Sequence, residues 1–153
     1  MPAIEQKRVL AIASGGGHWQ QLMRLRPAFD GSHTIYVTTN PSYSADVPGH
    51  ELFVVKDANR NQPLNLARST LGMLLRVFKT RPDVVISTGA APGLLGLFFG
   101  RLVGAKTIWV DSIANAEKLS LSGRIALKFA HTVLTQWPHL ARAGGPQHRG
   151  SIL

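Results

Sequence analysis

Residues 9–18 read Val9-Leu10-Ala11-Ile12-Ala13-Ser14-Gly15-Gly16-Gly17-His18. Five apolar residues in a row, with no polar alternation, suit a short strand buried on both faces. Three glycines follow and free the backbone for a tight turn. The segment from about His18 to Leu25, stopped by Pro27, then predicts a helix. Strand, glycine turn and helix form the opening unit of a parallel α/β sheet.

The same rhythm recurs to the end of the chain. Residues 34–38 and 52–55 predict two further strands. Residues 64–80 predict a helix ended by Pro82, with Leu66, Leu71, Leu74, Leu75 and Phe78 as its apolar positions. Residues 84–87 are again a fully apolar strand, turning through Thr88-Gly89-Ala90-Ala91-Pro92-Gly93 into a helix over 94–103. A strand at 106–110, a helix at 122–129 and a last strand at 132–135 complete the pattern. With no repeat, linker or low-complexity block, the expectation is one α/β domain over residues 1–153. Its fold class is a Rossmann-like parallel sheet with helices on both faces.

Composition bounds the function. A hydrophobic share of 44% against 16% charged residues excludes a disordered chain. Seventeen Lys and Arg against eight Asp and Glu give a formal charge of +9, which favours polyanionic partners. Only Arg68, Arg76, Lys79 and Arg81 cluster, and no zinc-finger, RRM or homeodomain pattern accompanies them, so no nucleic-acid role is expected. A membrane surface or a phosphorylated substrate fits better. The absence of cysteine excludes disulfides and thiolate metal sites. No apolar stretch reaches the ~20 residues of a spanning helix, since residues 90–103 contain Pro92 and Arg101. The polar start, residues 1–8, lacks the apolar core of a signal peptide.

In such sheets, ligands sit beyond the carboxyl ends of the strands, so the turns there carry the candidate chemistry. At Ser14, Gly15, Gly16, Gly17 and His18, backbone N–H groups can approach an anion, with the positive end of a helix behind them. The pattern is neither GxGxxG nor a P-loop, so no dinucleotide or NTP fingerprint is present. Thr88 and Gly89 make a second small-residue turn, where the threonine hydroxyl can donate to phosphate or sugar. Asp111 ends a strand and is a candidate general base or sugar-hydroxyl acceptor, followed by a polar loop through Asn115 and Glu117. The competing reading makes Asp111 a loop-ordering residue and Ser120 or Ser122 a helix N-cap, with Ser122 the favoured one. Trp137 reads as packing or interface. The six histidines show no metal-ligand spacing, so neither a metal nor a cofactor is expected.

Three blocks stand in order along the chain: Ser14-Gly15-Gly16-Gly17-His18, then Arg81-Pro82-Asp83-Val84-Val85-Ile86-Ser87-Thr88-Gly89-Ala90-Ala91, then Asp111-Ser112 with Ser120-Leu121-Ser122-Gly123-Arg124. Gln136-Trp137-Pro138 and a closing Gly150-Ser151-Ile152-Leu153 follow. Together they resemble the bacterial exopolysaccharide counterparts of the eukaryotic membrane-recruiting subunit of the dolichyl-diphosphate-GlcNAc N-acetylglucosaminyltransferase. The resemblance runs from about Arg8 to the C-terminus. It implies the N-terminal half of a split GT-B glycosyltransferase, similar to the lipid II-forming GlcNAc transferase of peptidoglycan synthesis. A separate small subunit would supply the C-terminal, donor-binding half. Two positions depart from the family: it usually has Glu where this chain has Asp111, and an Arg common in relatives is here Asn115.

The expected function is therefore the acceptor-binding subunit of an inverting, UDP-sugar-dependent glycosyltransferase. It would act on a polyprenyl-diphosphate-linked saccharide, with glucuronic acid or GlcNAc as the sugar moved. His18 or Asp111 would be the base, while Ser14, Gly15, Gly16, Gly17, Thr88, Gly89, Asn115 and Glu117 would hold acceptor and diphosphate. The eukaryotic subunit carries an N-terminal membrane anchor that this sequence lacks. Peripheral attachment at the cytoplasmic membrane face is thus expected, through residues 71–78 or 94–99 unless these are core. Two rivals remain: a non-catalytic membrane-recruiting scaffold for a catalytic partner, and an independent nucleotide-binding Rossmann domain.

Overall fold

A computed structural model describes residues 4–57 and 61–152 of the chain, so Leu153 of the closing motif lies outside the described residues. Strand β1 (Arg8–Ala13) leads into helix α1 (Gly17–Arg24), then β2 (His33–Thr38) and β3 (Glu51–Val54). Helix α2 (Pro63–Thr80), β4 (Val84–Gly89), α3 (Ala91–Leu102), β5 (Lys106–Val110), α4 (Leu121–Ala126), β6 (Thr132–Thr135) and β7 (Gln147–His148) follow. The strands form one sheet in the order β3-β2-β1-β4-β5-β6-β7, with every pairing parallel. This is the Rossmann-like architecture expected. The strand β7 is an addition: two residues carry no periodicity from which to foresee it. Helix α3 starts three residues earlier than expected because Pro92 sits in its first turn, where a missing N–H costs nothing.

Alternation along β1 divides the core. Leu10 and Ile12 join Val37, Met73, Val77, Val85 and Leu97 beneath α2 and α3. Val9, Ala11 and Ala13 join Trp19, Leu22, Phe29 and Tyr36 beneath α1. Both faces being covered explains why these strands read as unbroken apolar runs.

Helix α3 packs on β1 and β4 through glycine. A methyl group at Gly93 or Gly96 would collide with Ser87 or Ile12, and one at Gly100 would stand 2.6 Å from Val85 Cγ2. Helix α2 meets the sheet through Ser69, Met73 and Val77. Of the stretch expected as membrane-contact surface or core, Leu71, Leu75 and Phe78 are exposed, Leu75 by 60%.

Candidate functional site

Strands β1 and β4 are neighbours, yet the chain leaves β1 towards β2 on one side and returns from β3 to β4 on the other. Helices α1 and α3 therefore leave to opposite faces, and a crevice opens where the strand order reverses. The two turns foreseen from the sequence meet in this crevice. Ser14 N–H donates to the Gly89 carbonyl at 2.9 Å, tying the first turn to the second.

His18, in the first turn of α1, crosses to the β4 turn and is half-buried there. Its Nδ1 lies 2.9 Å from the Thr88 carbonyl oxygen. A carbonyl can only accept, so Nδ1 carries the proton and Nε2 keeps its lone pair in the neutral ring. Gly89 makes this seat possible, since a Cβ there would stand 2.5 Å from His18 Nδ1, and its φ of 125° disfavours any side chain. Thr88 is placed otherwise than expected. Fully buried, it donates its hydroxyl to the His18 carbonyl at 2.6 Å. That hydroxyl anchors the histidine turn and is not presented to a ligand.

The glycine turn is open on its outer side: Gly16 and Gly17 are exposed, and a methyl at Gly17 would meet nothing within 4 Å. The N–H groups in the first turn of α1 have no intrahelical acceptors. One neighbour was not legible in the sequence. Tyr43, from a 3-10 turn over Pro41–Asp46, accepts the Gly16 N–H on its hydroxyl at 2.9 Å. Its ring stacks on Trp19 with centroids 4.8 Å apart, and Trp19 Nε1 donates to Asp46 at 2.8 Å.

Asp111 occupies a different environment. Only 2% exposed, its carboxylate accepts from Trp109 Nε1 at 2.9 Å, Ser120 Oγ at 2.5 Å, Ser120 N at 2.9 Å and Asn115 Nδ2 at 3.2 Å. Four donors fill it, and Ser120, not Ser122, caps α4 by accepting from Gly123 N. The arrangement is that of a loop-ordering residue, with Asn115 committed to the same task. Glu117 is exposed and lines a cleft with Lys118, Arg124 and Arg142, away from the glycine turn. A buried glutamine pair bridges the two regions. Gln136 donates to Gln21 Oε1 at 2.7 Å and to the Asp111 carbonyl at 3.0 Å, while Gln21 reaches Ser112 Oγ at 3.1 Å. Among the described residues no group of His, Asp and Glu could hold a metal ion.

Comparison with known proteins agrees with this geometry. The chain is 28% identical to a UDP-N-acetylglucosamine transferase subunit of Schizosaccharomyces pombe, over 89% of its own length and 78% of the relative's. It is 25% identical to the Eremothecium gossypii subunit of that name, over 89% and 75% of the two chains. The crystal structure of Acinetobacter baumannii MurG superposes with a TM-score of 0.75 at 15% identity, covering 93% of this chain and 45% of that one. The fold is thus that of the N-terminal half of a GT-B glycosyltransferase. The family described as "Oligosaccharide biosynthesis protein Alg14 like" matches residues 53–150, and the chain belongs to it.

Proposed function

We propose that this chain is the acceptor-binding subunit of a two-component inverting glycosyltransferase. It moves glucuronic acid or GlcNAc from a UDP-sugar to a polyprenyl-diphosphate-linked saccharide in bacterial polysaccharide synthesis, at the cytoplasmic face of a membrane. The observation that carries the reading is the seat of His18, held by Thr88 at the head of an open glycine turn in the sheet's ligand crevice. The names of the fungal relatives support the donor class.

In this reading a small partner subunit supplies the other half of the cleft and holds the UDP-sugar. The turn over residues 14–17, in which the Ser14 and Gly16 amides are already engaged, and the first-turn amides of α1, which have no intrahelical acceptor, take the acceptor's diphosphate charge. His18 Nε2 removes the proton from the acceptor hydroxyl as that oxygen attacks the anomeric carbon. The bond from that carbon to the diphosphate oxygen breaks, and UDP leaves with the electron pair. Asp111 positions the β5–α4 loop and moves no proton.

The filled carboxylate of Asp111 also favours a second reading, a scaffold that only recruits a catalytic partner. Reconstituting the chain with a small donor-binding subunit, a panel of UDP-sugars and a short polyprenyl-diphosphate-linked acceptor separates the two. The subunit reading expects transfer from the pair, abolished by changing His18. Wild-type turnover by a pair carrying His18→Ala would give the scaffold reading the field.

A further inference from the structure

The glycine turn has a third neighbour that the proposed reaction leaves without a task. Strand β2 ends at Thr38, and the chain passes through Asn40 into the 3-10 segment Pro41–Asp46, which brings Tyr43 to the turn. The segment is fixed at its start: Asn40 Oδ1 accepts from Ser42 N at 3.0 Å and from Ser42 Oγ at 2.8 Å. The Tyr43 ring lies flat on Trp19, with centroids 4.8 Å apart and an interplanar angle of 4°. Trp19 is itself buried, held by Asp46 at 2.8 Å and set edge-on to Tyr36. A ring clamped in this way delivers its hydroxyl to one place.

That place is the glycine turn. The Gly16 N–H donates to Tyr43 Oη at 2.9 Å, and a Cβ on Gly15 would stand 3.4 Å from the same oxygen. A phenol can accept and donate at once. Its oxygen accepts from Gly16, and among the described residues its own proton has no acceptor. Stability does not call for the hydroxyl: Gly16 is exposed, so water can satisfy its N–H, and a phenylalanine ring would stack as well. Residues 14–18 and 39–45 hold no Lys or Arg, so the donors these two turns offer a phosphate are neutral ones. Strands β2 and β4 flank β1 in the sheet, so Tyr43 reaches the turn from one side and His18 leans to the other. A diphosphate over residues 14–17 would lie between a fixed O–H donor and a base.

From this we infer that Tyr43 is a binding residue for the acceptor diphosphate, its hydroxyl donating to a phosphate oxygen while the Gly16 amide holds that hydroxyl in place. The inference rests on the reading of residues 14–17 as the acceptor's diphosphate site and adds a side-chain donor to it. An ionised acceptor makes such a bond short and strong. The Gly16 N–H, by polarising the phenol oxygen, makes its O–H a better donor. Because the ring is pinned by Trp19 before any ligand arrives, little freedom is lost on binding.

The test is Tyr43→Phe, which keeps the ring and its stack and removes the O–H alone. Calorimetry of the full chain with geranyl diphosphate and with geraniol is run beside thermal melts. Wild type is expected to prefer the diphosphate, and Tyr43→Phe to bind it at least about tenfold more weakly at an unchanged melting temperature. In the pair reconstituted with a donor-binding subunit, the same change should raise KM for the polyprenyl-diphosphate acceptor by that factor. The kcat and the KM for UDP-sugar should stay near wild type. Equal diphosphate binding by Tyr43→Phe overturns the proposal, and so does tighter binding, which would make the hydroxyl a placeholder on the Gly16 amide. A lowered melting temperature would make the hydroxyl structural and overturns it as well. A rise confined to the KM for UDP-sugar does the same by assigning Tyr43 to the donor. A wild-type chain that binds geraniol as well as geranyl diphosphate, or binds neither, counts against the acceptor reading itself. A diphosphate-selective wild type beside an unaffected variant removes Tyr43 alone.

Discussion

His18 and Asp111 looked alike in the sequence, each a titratable residue at the ligand end of a strand, and their surroundings part them. His18 has one protein partner, a carbonyl on Nδ1, and its other nitrogen is kept as an acceptor. His18→Ala in the reconstituted pair is expected to lower kcat at least ~100-fold, the usual scale for removing a general base. Its melting temperature should stay close to wild type, because a single half-buried hydrogen bond is lost. Asp111 has four donors around two oxygens, and Asp111→Asn would turn an NH2 towards N–H or O–H groups that need an acceptor. The expected outcome is a loss of about 1–3 kcal/mol in denaturant unfolding, with turnover per folded molecule largely kept. The place of His18 beside the glycine turn was legible because the two are contiguous in sequence. Tyr43 was not, because it reaches Gly16 from 27 residues away on a turn whose sequence carries no site pattern.

At the scale of elements, existence and order were legible because each buried strand is an apolar run and each helix has its own stop. Which face of a helix points inward was not. Residues 71–78 and 94–99 left surface and core both open, and the structure divides each stretch: Met73, Val77 and Leu97 are buried, while Leu71, Leu75, Phe78 and Phe98 are exposed. On α3, close approach to the sheet puts Gly93, Gly96 and Gly100 at the contact. Gly100 gives the measurable case. Gly100→Ala places a methyl 2.6 Å from the Cγ2 of Val85, a β-branched side chain with little rotamer freedom. Overpacking of this kind costs about 1–3 kcal/mol, so the variant should unfold at lower denaturant with an unchanged m-value. Gly17→Ala, whose methyl meets nothing, is the control that should unfold with wild type.

At the scale of the whole molecule, the proposed function makes the crevice between β1 and β4 one wall of a cleft. MurG, with the same half-fold, is more than twice as long, since this chain covers 93% of itself and only 45% of MurG. In the proposed enzyme the opposite wall, with most of the donor contacts, belongs to the partner. The glycine turn offers backbone amides for phosphate, yet none of the described turns has a GxGxxG or P-loop arrangement that would secure a nucleotide unaided. A ligand touching one wall gains part of the contact energy and still loses its full translational and rotational freedom. The isolated chain should therefore bind UDP-sugars weakly and transfer no sugar, and both properties should appear together when the partner is added. Isothermal titration of the monomeric chain with UDP-GlcNAc and UDP-glucuronic acid makes the check. A dissociation constant in the low micromolar range, about −8 kcal/mol or better, would mean a complete nucleotide site on this chain and would contradict a divided enzyme.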